Sequence, residues 1–389
     1  MQDSWPPTQI EQIQENYIRD SGLDCDRVLE YVKATWNFMS RTGLQSSGFD
    51  DNPSPESAQR TYQTLIEAYF KQPVAKYQDP QEYVILRQLD ERVRRAAEEI
   101  GYSPCPQPIV GSVFSHELNA SVRPFNDTFL ILIRNGLFKY MAALVRTLIP
   151  MLKWNGDSLV PDQKEALAFV ENNFDAVRPF YDALEGFILN RFEHSLPEHS
   201  YFEGKMFYHF ARLRSSIWSF IFAHEYAHVL SRDHDRNQEI PEEYLGIIAN
   251  TSDALTRAHF KEHRADVVAF ELMNYDMVNY MRSSFEHSTS SVCIFFSGID
   301  LFYRTLGELL GIELSGASES HPGPIDRWQY LAWTLQGSPG DQDRIQNAIN
   351  VGIKCADVVE VLFACNAPLI KRLQPHRKKI AQAWFAHHK

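Results

Sequence analysis

"FAHEYAHVL", Phe222–Leu230, sets two histidines four positions apart with a glutamate directly after the first. On a helix, residues four apart share a face with their Cβ atoms about 5–6 Å apart, so His224 and His228 can grip one metal ion. Glu225 is turned about 100° from His224 and can reach a water at the ion's open position instead of the ion itself. Two imidazoles to bind, and a carboxylate to take a proton and return it, are the parts of metal-assisted amide hydrolysis. The spacing requires a helix, and no glycine or proline falls between Gly204 and Pro241 to break one. Ile221, Phe222, Tyr226, Ala227, Val229 and Leu230 are uncharged, as expected of a buried helix that turns only its ligands to a cleft. Zn²⁺ is the expected ion. A chance HExxH arises in roughly a few sequences per hundred of this composition, so a third ligand must decide.

Two candidates compete for that position. His234, in HEYAHVLSRDH, stands where HExxHxxGxxH metalloproteases carry a third histidine, but Ser231 replaces the glycine that turns the chain back to the metal. Glu262, in KEHRADVVAFELM, lies four residues before Asp266 on a stretch free of glycine and proline that starts after Ser252 or Asp253. Carboxylates at i and i+4 of one helix can serve a metal and a ligand histidine together. His234 is expected at the surface or behind a ligand, His259 and His263 as solvated helix residues, and His209 as a core or helix-face residue. Trp218, Phe220 and Phe222 are expected to pack the core around the motif helix.

HExxH followed by E-x-x-A-D-x-x-A (Glu262, Ala265, Asp266, Ala269) resembles the gluzincin metallopeptidases, particularly the HtpX and CAAX-prenyl-protease group. The resemblance implies that Glu262 completes the set begun by His224 and His228, and that Asp266 orients His224. ELNASVRPFNDTFLILIRNGLF, Glu117–Phe138, is similar to that family's strand pair. It implies a substrate-binding edge at Asn119, Ala120 and Ser121 that pairs with an extended peptide through its main chain. SHPGPIDR, Ser320–Arg327, resembles the family's His-Pro segment and implies that His321 stabilises the oxyanion of the tetrahedral intermediate. The likeness covers about Ile109–Arg327 and lacks the membrane spans of the embedded members. A looser similarity to Lit-type phage-exclusion peptidases implies a role in bacterial defence or stress response.

The resulting expectation is a zinc-dependent endopeptidase of the gluzincin type, with Glu225 as general base and a protein or peptide as substrate. The rival readings are a non-catalytic zinc-containing regulator or partner-binding helical scaffold, and a helical interaction protein that holds no metal. Glu225 weighs against the first rival, because a purely structural zinc site has no use for a base and usually closes its fourth position.

Outward from the motif, helical spacing continues at about 137–152, 161–192, 206–231, 255–283, 289–311, 324–335, 343–364 and 367–386. Residues 7–100 read as three or four amphipathic helices. Between them, Ile109–Phe114, Asn119–Phe125 and Thr128–Ile133 read as the strands of a small sheet. The expected fold is therefore α+β and mainly helical, with a zincin-like catalytic core at 106–330 between a helical N-terminal region, 1–105, and a helical C-terminal region, 331–389. These ends exceed what a minimal peptidase needs, and are expected to cover the cleft or dock an activating or inhibitory protein partner.

With 389 residues and 44% hydrophobic composition, the chain can bury a large core and is not disordered. A net charge of −12 opposes attraction to nucleic acid or anionic lipid. Cys25, Cys105, Cys293, Cys355 and Cys365 show no CxxC spacing and read as reduced core residues. No secretory signal is visible at the start and no apolar run is long enough to span a membrane, so a cytoplasmic location is expected.

Overall fold

The computed structural model describes residues 7–20, 24–30, 32–33, 79–115, 117–156, 158–189, 202, 204–233, 253–318 and 321–387. Among them the chain is mainly helical with a small sheet, the α+β class expected. It divides into two compact units, Met1–Phe138 and Lys139–Lys389. The division falls inside the 106–330 segment expected as one core. The sheet goes with the N-terminal helices, and both helices of the metal motif go with the C-terminal ones.

In the first unit, α1 (Pro7–Asp20), helical residues at 25–30 and α2 (Pro80–Ile100) precede β1 (Ile109–Val113), β2 (Ala120–Phe125) and β3 (Thr128–Arg134). The strand order is β1-β3-β2, with β1 parallel and β2 antiparallel to β3. Leu130, Ile131, Leu132 and Ile133 are all buried, which explains why central β3 reads as a continuous apolar run instead of an alternating one. Val113, Leu130 and Leu132 pack with Ile13 and Tyr17 of α1. From the same helix, the Gln14 amide donates to the Ser112 carbonyl at 2.9 Å, satisfying a backbone group that burial would otherwise leave unpaired. β2 is paired on one side only among the described residues. The helices expected within 34–78 lie outside those residues.

α3 (Asn135–Leu148) follows β3 directly and carries the chain into the second unit. A hairpin of β4 (Lys153–Asn155) and β5 (Ser158–Val160) comes next, which the sequence did not announce. The single helix expected at 161–192 is two, α4 (Gln163–Asn172) and α5 (Phe174–Ile188), because Asn173 leaves helical geometry at φ −137° and ψ 45°. α6 (Gly204–Leu230), α7 (Asp253–Asn279), α8 (Phe285–Leu310), α9 (Pro324–Gly337) and α10 (Gln342–Ala364) form the body of the unit. α11 (Ala367–Leu373), a 3₁₀ turn at Gln374–His376 and α12 (Arg377–His387) complete it.

α6 packs against α7 and α8, and α8 against α10. Every residue of α6 from Ser216 to Val229 is buried, so this helix is central and not amphipathic. Trp218, Phe220 and Phe222 are core residues as expected, and His209 is buried face to face with Trp154 at 3.8 Å. α3 and α8 approach so closely that a Cβ on Gly298 would collide with Leu144, and the Tyr140 hydroxyl donates to the Gly298 carbonyl at 2.7 Å. No described helix is long and apolar enough to cross a membrane.

Candidate metal centre

The two helices that carry the motif lie side by side and bring His224, His228 and Glu262 together, all buried. His224 Nε2 is 3.2 Å from His228 Nε2 and 3.3 Å from Glu262 Oε2, and His228 Nε2 is 3.4 Å from Glu262 Oε1. A tetrahedral ion with metal–nitrogen bonds of about 2.0–2.1 Å holds its ligand atoms about 3.3–3.4 Å apart. Each separation is close to that spacing, with Glu262 facing His224 through Oε2 and His228 through Oε1.

The far side of each imidazole fixes what the near side presents. His224 Nδ1 donates to Asp266 Oδ1 at 2.9 Å, and His228 Nδ1 donates to Asp233 Oδ2 at 2.8 Å. In the ligating tautomer, with Nδ1 protonated and donating outward, each ring would turn the lone pair of Nε2 inward. Glu262 Oε2, shielded from solvent, has no hydrogen-bond donor of its own. Two imidazoles and one carboxylate thus lie together in a buried group that could hold a metal ion, and this donor set suits a divalent transition metal.

Asp233 arrives by local geometry. At the end of α6 the Asp233 amide donates to the His228 carbonyl at 3.1 Å and the Arg232 amide to the Val229 carbonyl at 3.2 Å, while Arg232 takes the left-handed φ of 52°. This is a Schellman cap, and it folds Asp233 back over the last turn onto His228. The positive φ falls one residue after Ser231, where a glycine would stand in the HxxGxxH arrangement. Arg264 pairs with the Asp233 carboxylate, and the Lys261 ammonium donates to its carbonyl, so α7 holds the cap as well as supplying Glu262.

Asp266 is fixed from its other side by Arg327 of α9. The guanidinium donates from Nε at 2.8 Å and from Nη2 at 2.6 Å, a bidentate pair, and Nη2 lies 3.6 Å from Glu262 Oε2. Burial pushes the Asp266 carboxyl up, but the charge and hydrogen bonds of Arg327 and the bond from His224 hold it below its ordinary range. Glu262 is likewise pushed up by burial, yet its two histidines and Arg327 hold it well below that range. Both carboxylates are therefore ionised acceptors. Glu225 is buried in the same field, and burial outweighs the nearby positive groups and raises its pKa.

His321 sits at the rim, its side chain 44% exposed and Nε2 3.5 Å from Glu262 Oε1. A reciprocal turn presents it: the Ser318 amide donates to the His321 carbonyl at 2.8 Å, and the His321 amide to Ser318 Oγ at 3.1 Å. His263 corrects its expected role as a solvated residue. It is buried and stacked on Tyr330 at 4.3 Å, because α9 covers that side of α7. His259 keeps partial exposure and meets the Ser318 carbonyl at 3.3 Å. His234 lies outside the described residues. Asn119, Ala120 and Ser121 belong to the first unit, where Ala120 and Ser121 open the edge strand β2.

The sequence reading assigned no role to Asp233, Arg264 or Arg327. Asp233 carries no motif signal of its own, and its only trace is its position five residues after His228, the spacing of a Schellman cap. Arg327 closes the His-Pro segment, but nothing in that segment says which carboxylate it meets.

Fold and site together define a mainly helical α+β protein with a buried His-His-Glu group able to hold a metal ion. The chain matches no known family model, no curated protein and no solved structure.

Proposed function

We propose that the chain is a zinc-dependent endopeptidase of the gluzincin type. The observation that carries this reading is the buried group of His224, His228 and Glu262, its separations close to those between the ligands of one metal ion, in the same field as the buried Glu225. His224, His228 and Glu262 would hold Zn²⁺, which when bound would supply a Lewis acid to polarise a carbonyl and lower the pKa of a water.

Glu225, its pKa raised by burial, accepts a proton from the attacking water and delivers it to the leaving amine. Asp266 and Asp233 keep the two imidazoles in the ligating tautomer, and Arg327 keeps Asp266 in place. His321, at the rim, is positioned to donate a hydrogen bond to an oxygen that gains negative charge as the carbonyl is attacked. A protein or peptide substrate is part of the proposal.

The test is a proteome-wide comparison of new protein N-termini in cells expressing the intact protein or its Glu225→Gln form. New termini confined to the intact protein are expected. Identical termini in both would dismiss the catalytic assignment and favour a zinc-containing regulator.

A further inference from the structure

Away from the metal, the first half of α6 carries a second concentration of charge. Phe210, Arg214 and Trp218 follow one another at four-residue intervals and so share a face. The Arg214 guanidinium carbon lies 4.9 Å from the centre of the Phe210 ring and 4.6 Å from that of Trp218. From α3, Arg146 brings a second guanidinium to the same Phe210 ring at 5.6 Å.

Arg214 Nε is shielded from solvent and has no hydrogen-bond acceptor. Among the described residues no carboxylate offsets it. Burial and the like charge of Arg146 both act to lower its pKa, to about 10. Side-chain exposure is intermediate, so the outer edge of the fork stays reachable. Shielded cations ordinarily occur paired, because taking a charge out of water without a partner is unfavourable. Aromatic faces fix a guanidinium plane, and a fixed fork matches the oxygens of carboxylates and phosphates.

We infer that Arg214, held against Phe210 and Trp218, is the binding group of an oxyanion site for a phosphate or carboxylate, separate from the metal centre. The anion would accept from the outer nitrogens of Arg214. Its source is either a free phosphate or a carboxylate-bearing molecule, which two probes separate.

The experiment is thermal unfolding of the full, metal-loaded chain with increasing inorganic phosphate or succinate at constant ionic strength, chloride being the control. At least one probe is expected to raise the wild-type midpoint saturably: phosphate if the site takes a phosphoryl group, succinate if it takes a carboxylate. Arg214→Met should lose that response and, without either probe, melt no lower than wild type because the uncompensated charge is gone. Arg214→Lys keeps the charge but not the fork, and should raise the half-saturating concentration by roughly tenfold, which keeps the test open if the methionine variant does not fold. A wild-type midpoint indifferent to both probes beyond chloride would overturn the inference. So would a response that Arg214→Met or Arg214→Lys leaves unchanged.

Discussion

At the scale of single residues, the centre is a set of charges that tolerate one another only in one arrangement. Removing the Arg327 side chain with Arg327→Met would leave Asp266 buried without its bidentate partner, and a cost of about 3–5 kcal/mol is expected in chemical denaturation. Asp233→Asn frees His228 to adopt the wrong tautomer, and should weaken metal affinity about 10–100-fold in competition with a chelator while leaving the helices intact by circular dichroism. The protonation of His228 adds a dependence on pH. Burial pushes this imidazole down, but hydrogen bonds to Asp233 and Glu262 outweigh it and push its pKa up to about 10 from an ordinary 6.5. A raised pKa means that the stabilising contribution is complete below about 6.5 and lost as pH rises through about 10. The metal-free chain should therefore show a falling melting midpoint across that window. The metal-loaded chain should escape this decline, since the ion replaces the proton.

At the scale of elements, the cap of α6 joins helix geometry to ligand chemistry. Arg232 occupies a left-handed position that disfavours any residue with a Cβ by roughly 1–2 kcal/mol. Arg232→Gly should raise stability by about 1 kcal/mol without changing metal affinity, measured by parallel denaturation and chelator competition. The same cap shows where sequence reading stops. His224 and His228 were legible from helical spacing, whereas Glu262 and Asp266 were singled out by the resemblance to the gluzincin pattern, their four-residue spacing on one helix agreeing with it. Asp233 was not, because a Schellman turn formed on arginine carries no glycine to announce it. The break at Asn173 was equally silent, as Asn173 lacks the proline or glycine that usually ends a helix. β4 and β5, at three residues each, are too short to show a period.

At the scale of the molecule, the three strands and most of the helices were readable, because each has its own apolar pattern. Their grouping was not. The sheet consolidates with α1 through Val113, Leu130, Leu132, Ile13 and Tyr17 and with α2 through β1, while α10 packs on α8 in the unit that carries the candidate metal centre. Such partnerships are made between surfaces far apart in sequence, and periodicity within one segment does not encode its partner. Close approach has the same character: Gly298 reads as an ordinary helix glycine until Leu144 is seen against it. Gly298→Ala should cost about 1–3 kcal/mol by overpacking the α3–α8 contact, with metal stoichiometry unchanged in the folded fraction.

The central claim, that two imidazoles and one carboxylate hold a metal ion, is tested most directly by X-ray absorption at the zinc edge on the zinc-loaded chain and its Glu262→Ala form. The account predicts a four-coordinate nitrogen and oxygen shell at about 2.0–2.1 Å with outer scattering from two imidazoles, and zinc loss in the variant. Sulfur ligation, fewer than two imidazoles, or an unaltered spectrum and full zinc content in Glu262→Ala would contradict it.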